Sequence, residues 1–219
     1  MAATGRRDGV VLLHGILRRA ASMKLLEQAL AGEGYRVLNL DYPSRRQSLS
    51  EIVEGLSGAI SAFEAGLDGE LHFVTHSMGG LVARACLNRF RPARLGRVVM
   101  LAPPNEGSEI SDLLARNWFY RSAFGPAGEQ LTTRRSEELC QLLGAVDYPL
   151  GVIAGDRSLY MFASLVLPGA NDGRVSVERT RVAGMADHIV LPTSHPLIMR
   201  DPEAVAQTIY FLQNGRFRR

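Results

Sequence analysis

A serine hydroxyl is a weak nucleophile until a base takes its proton, and that base needs an acceptor on its far nitrogen to fix tautomer and orientation. Ser77 has a setting suited to such chemistry. It follows the strand-forming run Leu71-His72-Phe73-Val74-Thr75-His76 and precedes Met78-Gly79-Gly80, after which Leu81, Val82, Ala83, Cys86 and Leu87 recur at helical spacing. The pattern reads as strand, very tight turn and helix, with Ser77 at the apex. Small residues after the apex let strand and helix approach, which is the role of Gly79 and Gly80. The helix would aim its first N–H groups at the place where an oxyanion forms. A serine in such a turn can also bind an anion without reacting, so the decision rests on its partners.

Five histidines compete for the role of base. His14 ends an apolar run before Gly15, and His72 opens the strand that leads to Ser77. His76 adjoins Ser77, so its side chain should point away from the serine's. His188 starts a strand and reads as structural. His195 falls in Leu191-Pro192-Thr193-Ser194-His195-Pro196, a loop between the last strand and the last helix. Three aspartates compete for the acid. Asp156 directly follows a strand. Asp172 lies in Asn171-Asp172-Gly173, a turn that can expose a carboxylate, and it reaches the sheet edge only if residues 157–170 make an excursion and return. Asp41 ranks a distant third.

Those residues need a sheet whose strand ends converge. Gly9 to Ile16 is an apolar run without alternation, as in a strand buried on both faces. Strands are also expected at Tyr35–Tyr42, Arg97–Ala102, Leu150–Asp156 and Asp187–Pro192. Helices are expected from Ser22 to Gly32 (apolar stripe Met23, Leu25, Leu26, Ala29, Leu30), Ser50 to Ala65, Ser136 to Leu143 and Pro202 to Leu212 (inward Val205, Ile209, Leu212). Strand and helix alternate, which implies right-handed crossovers and a mainly parallel sheet covered on both faces. The rhythm breaks from Pro103 to Pro149, where Trp118, Phe119, Tyr120 and Phe124 cluster.

The segment His76-Ser77-Met78-Gly79-Gly80 resembles the nucleophile elbow of the α/β-hydrolase family, in the form common among lipases and esterases. The elbow is usually Gly-x-Ser-x-Gly, whereas Thr75 stands at the first position and is bulkier than the turn prefers. The family's order of serine, acid, histidine implies His195 as base. The stretch Asn171-Asp172-Gly173-Arg174-Val175 resembles the acid-bearing segment of a set of bacterial lipases and implies Asp172 as acid, with Asp156 the runner-up. His14-Gly15-Ile16 resembles the lipase oxyanion loop and implies the backbone N–H groups of Ile16 and Met78 as oxyanion donors. The resemblance covers nearly the whole chain.

The expectation is therefore a single α/β-hydrolase domain over 1–219, with a small cap insertion at about 103–149. It implies a serine hydrolase cleaving carboxylic esters, an esterase or small lipase, through an acyl-enzyme and with neither metal nor organic cofactor. An acyltransferase or thioesterase would use the same three residues, and a non-catalytic scaffold would normally have lost one of them.

Composition narrows the rest. The 219 residues are 46% hydrophobic and 21% charged, enough for one large core. Net charge is +3, carried almost wholly by arginine, since Lys24 is the only lysine. The basic end Arg216, Arg218 and Arg219 reads as solvated, and no aromatic interleaving supports nucleic-acid binding. No apolar run is long enough for a signal sequence or a membrane span, so a cytoplasmic location and no stable membrane insertion are expected. Cys86 and Cys140 are expected to be free.

Overall fold

The computed structural model describes residues 7–115, 118–159 and 166–219, and of 119–123 the backbone alone. Six strands form one parallel sheet: β1 (Gly9–Leu13), β2 (Arg36–Leu40), β3 (Leu71–His76), β4 (Leu95–Leu101), β5 (Leu150–Gly155) and β6 (Asp187–Leu191), in the spatial order β2-β1-β3-β4-β5-β6. The central strands β1, β3 and β5 are buried at every position, whereas β2 and β6 on the edges are not. That is why the inner strands read as unbroken apolar runs.

The helices are α1 (Lys24–Gly32), α2 (Leu49–Ala65), α3 (Met78–Arg89), α4 (Glu109–Ala115), α5 (Trp118–Glu129), α6 (Glu137–Leu143) and α7 (Pro202–Asn214). Alternate residues of each strand feed opposite cores. Val11, Leu13, Phe73, Met100 and Val152 pack with Ile52 and Leu56 of α2, Leu81 of α3 and Leu139 of α6. Val10, Leu12, Val74, Val99 and Ile153 pack with Leu26 and Leu30 of α1 and Phe211 of α7 on the other face.

Local signals set several helix ends. Ser48 caps α2 through a reciprocal capping box with Glu51, and Ser136 caps α6 by accepting from the Leu139 amide at 3.2 Å. Asp201 caps α7, with Pro202 at its first position and Gly215 left-handed at its end. One expected stripe is corrected. Leu25 is 49% exposed, because the turn before α1 rotates the helix so that Met23, Leu26 and Leu30 face the core. In α7 the expected stripe holds: Leu212 is fully buried and Val205 and Ile209 pack against the same core, joined by Ala204, Thr208 and Phe211.

The β2-β1-β3 order matters for function. After β1 the chain goes to one side, then returns to place β3 on the other, so the loops after β1 and β3 diverge and open a crevice at the carboxyl edge. All three non-glycine residues with positive φ among the described residues lie at that edge: Leu17 (60°) after β1, Ser77 (53°) after β3 and Ala102 (48°) after β4. Backbone strain of about 1–3 kcal/mol each is concentrated where the loops meet.

Thr75, the oversized residue of the elbow, fits because the helix above it is bare. Its side chain faces α3 at Gly80, where an added Cβ would lie 3.5 Å from Thr75 Oγ1. The hydroxyl is buried and has no hydrogen-bond partner among the described residues. A Thr75→Val substitution keeps the shape and removes an unsatisfied polar atom. It should raise stability in urea unfolding by about 1 kcal/mol without lowering activity.

Candidate active site

Ser77 sits between the last residue of β3 and the first of α3, with φ 53° and ψ −125°. Its amide donates to the Leu101 carbonyl at 2.8 Å, which ties the turn to β4. A Cβ on Gly79 would overlap the Leu13 carbonyl oxygen and crowd that of His14, so only glycine lets α3 start against the end of β1. The loop after β1 crosses directly over the serine. A Cβ on Gly15 would lie 3.1 Å from Ser77 Cβ and 3.0 Å from His76 Nδ1.

Three side chains line up at this point. Ser77 Oγ is 3.0 Å from His195 Nε2, and His195 Nδ1 is 2.7 Å from Asp172 Oδ2. The carboxylate demands a proton on Nδ1, leaving Nε2 to accept from the serine hydroxyl. Asp172 is 1% exposed, and its other oxygen accepts from the Arg174 amide at 2.9 Å and the Val175 amide at 2.8 Å. Its carbonyl accepts from the His195 amide at 3.1 Å, so acid loop and base loop are joined by backbone as well. The turn is closed by Asn171 Oδ1, which accepts from the Gly173 amide, with Gly173 at φ 91°. Gly155, at the end of β5, leaves room for both loops: a Cβ there would overlap the Thr193 carbonyl oxygen and lie 3.0 Å from Asp172 Cβ.

Asp156 is elsewhere. It is exposed, its amide donates to Leu191 O at 3.1 Å, and its carboxylate faces Arg157 Nε at 3.5 Å. The expected excursion before Asp172 returns with Leu167 buried, while residues 160–165 lie outside the described residues. Asp41 stands beside the loop after β1, with Oδ1 3.1 Å from His14 Nε2 and accepting from the Ala20 amide at 3.0 Å. His14 stacks on Tyr42 with ring centroids 4.0 Å apart, and the Tyr42 hydroxyl donates to the His14 carbonyl. Asp41 and Tyr42 thus hold the loop carrying Gly15 and Ile16. Among the described residues, neither the Met78 amide nor that of Ile16, which lines the same cleft as Ser77, donates to another group.

The remaining histidines divide. His72 accepts from the Arg97 amide at 2.8 Å, away from this edge. His188 Nε2 lies 2.9 Å from Thr180 Oγ1, whose own proton goes to the Val177 carbonyl, so His188 is the donor. His76 takes part in the site without facing the serine. Its ring avoids Ser77 Oγ, yet Nε2 donates to the His195 carbonyl at 3.0 Å and the two rings lie 4.9 Å apart. That the ring reaches the His195 carbonyl follows from packing across 119 positions of the chain, which no local pattern shows.

Burial is the main cause that lowers the pKa of His14, His72, His76 and His188, in His188 to about 4 from 6.5. Asp41 and Asp8 oppose this at His14 and His72 without reversing it. The unfolded chain therefore binds protons first as pH falls. Stability should be unaffected by these groups above about pH 6.5 and decline from there towards pH 4. Urea midpoints across that range should show the decline, with a shallower slope in His188→Gln.

Two clefts open on the serine. One, of about 40 Å³, is walled by Ile16, Ile110, Phe124, Leu131 and Val175. The other runs past Leu17, Arg18, His76, Arg174 and Pro196. Helices α4 and α5 of the expected cap segment thus supply Ile110 and Phe124 to the apolar cleft, while Trp118 is 67% exposed. The side chains of Phe119 and Tyr120 lie outside the described residues. Among the described residues no cluster of potential metal ligands occurs, and no helix is long and apolar enough to cross a membrane. Cys86 is buried, which pushes its thiol up to about 12, and Cys140 is exposed; both are free.

Comparison with known proteins agrees with this architecture. Residues 10–208 match the model of the alpha/beta hydrolase family. No curated protein matches the sequence. Among solved structures, the mature Bacillus licheniformis lipase BlEst2 superposes with TM-score 0.79 at 18% identity, covering 95% of this chain and 92% of the lipase. The Legionella pneumophila phospholipase PlaB gives TM-score 0.68 at 17% identity, over 95% of this chain and 59% of that one. The metagenomic carboxyl esterase MGS0156 gives 0.65 at 17%, over 90% and 66%. At such identities the likeness is one of fold. With the parallel sheet, the strained turn at Ser77 and a match over 10–208, the chain belongs to the α/β hydrolase family.

Proposed function

We propose that the protein is a serine hydrolase of carboxylic esters, an esterase or small lipase, with Ser77 as nucleophile, His195 as base and Asp172 as the acid that orients it. The observation that carries this is the hydrogen-bonded line Ser77 Oγ, His195 Nε2, His195 Nδ1, Asp172 Oδ2, at 3.0 and 2.7 Å. The Ser77 proton passes to His195 Nε2 as Oγ attacks the ester carbonyl. The Ile16 and Met78 amides receive the oxyanion, each worth on the order of 3 kcal/mol in the transition state. His195 then protonates the departing alcohol, and a water activated by the same nitrogen releases the acid. No step calls for a metal or organic cofactor.

The acyl chain occupies the apolar cleft walled by Ile110, Phe124, Leu131 and Val175. This makes the segment 103–149 a cap that contributes substrate contacts. Arg84, buried in α3, supports it from below by donating to the Gly144 carbonyl at 3.0 Å and to Asn105. The lipase, phospholipase and esterase among the fold's neighbours favour the same reading. A fluorophosphonate probe and nitrophenyl esters of graded acyl length test it. Covalent labelling at Ser77 and ester turnover are expected; a folded protein that shows neither refutes the reading.

A further inference from the structure

Among the described residues, Asp172 and Arg84 are the buried side chains that carry a full charge. Asp172 meets His195. Arg84 meets no carboxylate. From α3 it donates to the Gly144 carbonyl at 3.0 Å and, at the longer distances of 3.4 and 3.5 Å, to the Asn105 side chain and carbonyl. Its Nε is buried without a partner. Arg135, just before α6, is half-buried and donates from Nη2 to the Pro104 carbonyl at 2.7 Å, while its Nε and Nη1 are buried and unpartnered. The Tyr148 hydroxyl is likewise buried without a partner. All four orphaned atoms can donate a hydrogen bond, so what the group lacks is an acceptor.

The three side chains also feel one another's charge. Burial lowers the pKa of both arginines, and the charge of Arg84 lowers that of Arg135 further. Burial pushes the Tyr148 hydroxyl up to about 12 against the opposing pull of Arg84. Glu106 acts on both guanidinium groups from a distance, but it is exposed and pairs with neither. An exposed arginine is served by solvent and needs no partner, whereas a buried one is ordinarily paired. Water could satisfy the orphaned N–H groups, yet it would leave two like charges unbalanced where burial strengthens their repulsion.

We infer that Arg84, Arg135 and Tyr148 bind a small monovalent anion of the chloride or nitrate class. Such an ion accepts from the orphaned donors and offsets both positive charges. Burial favours a monovalent ion over sulfate or phosphate, because taking an ion out of water costs more as its charge grows. The ion ties α3, which begins at Ser77, to the loop after β4 and to the start of α6. Pro104 and Ser108 of that loop line the cleft at Ser77, so the ion holds one wall of it in place.

Thermal unfolding in sodium chloride and in sodium sulfate at equal ionic strength tests this without any substrate, and so independently of the ester-hydrolase reading. Sulfate strengthens apolar burial in general, so a nonspecific salt effect puts the sulfate Tm higher. Occupancy of the site should instead put the chloride Tm higher by about 5 °C, with a plateau in the chloride titration. Arg135→Gln removes the charge yet can still donate to the Pro104 carbonyl. In that variant the plateau should vanish and sulfate should become the more stabilising salt, while exposed Arg216→Gln keeps the native response. A native protein that is more stable in sulfate overturns the inference, as does a chloride plateau that persists in Arg135→Gln or a plateau in sulfate alone. Native crystals grown in bromide give a reading that no variant's folding can spoil. An anomalous scattering peak in contact with the Arg84 and Arg135 guanidinium groups is expected; bromide at surface sites only, with water or nothing between these two, overturns the inference.

Discussion

Ser77→Ala should lower kcat for ester hydrolysis by about a millionfold, the scale seen when a serine nucleophile is removed from such a unit, and should abolish fluorophosphonate labelling. Folding should survive. The side chain stands at a turn apex, and the hydrogen bond it loses, to His195 Nε2 at 3.0 Å, is one the imidazole can replace with water. The backbone offers a sharper check. At φ 53° and ψ −125° a Cβ is strained, so Ser77→Gly should be as inactive as alanine yet more stable than the native protein by about 1–2 kcal/mol. A folded, inactive and stabilised glycine variant would mark strain kept for reactivity. Full labelling of the alanine variant would move the nucleophile elsewhere.

Asp172→Asn should cost about four orders of magnitude in kcat, and the hydrogen bonds around the carboxylate give the reason. Oδ1 accepts from two backbone amides, Arg174 and Val175, at 2.9 and 2.8 Å. An asparagine must keep its oxygen there, since its NH2 group would face two donors. The NH2 group is then turned on His195 Nδ1, which must give up its proton to accept. The proton moves to Nε2, and the base can no longer accept from Ser77. Asp156→Asn should change kcat less than about twofold, because that carboxylate is exposed and faces only Arg157. Rate and unfolding measurements on the two variants decide the acid; a large loss at Asp156 with activity retained at Asp172 would reverse the assignment.

Much of this molecule was legible in its sequence for physical reasons. The runs Gly9–Leu13, Leu71–His76 and Leu150–Gly155 contain no alternation because both faces of the sheet are covered. Ser136 and Pro202 mark helix starts because capping is a local interaction. The turn at Ser77 announced itself through Gly79 and Gly80, whose missing side chains are needed by residues only a few positions away along the chain or one strand across. The expected stripe of α1 failed at Leu25, where packing against a neighbouring element, rather than spacing, selects the buried side.

The sequence by itself determined the strand–turn–helix at Ser77, the alternation that makes a parallel sheet, and the short set of histidines and aspartates from which a site could be drawn. Tertiary structure decided which of them meet. Asp172 and Asp156 both follow β5, and local turn chemistry permits either to expose a carboxylate. The choice depends on Gly155 giving way to the Asp172 and Thr193 loops, and on two amides that turn one carboxylate oxygen inward. It likewise decided that His76 braces His195 and that Asp41 and Tyr42 hold the loop over the serine. These pairings join residues tens of positions apart, and only chain packing brings such residues within a hydrogen bond's length, so no local pattern could carry them.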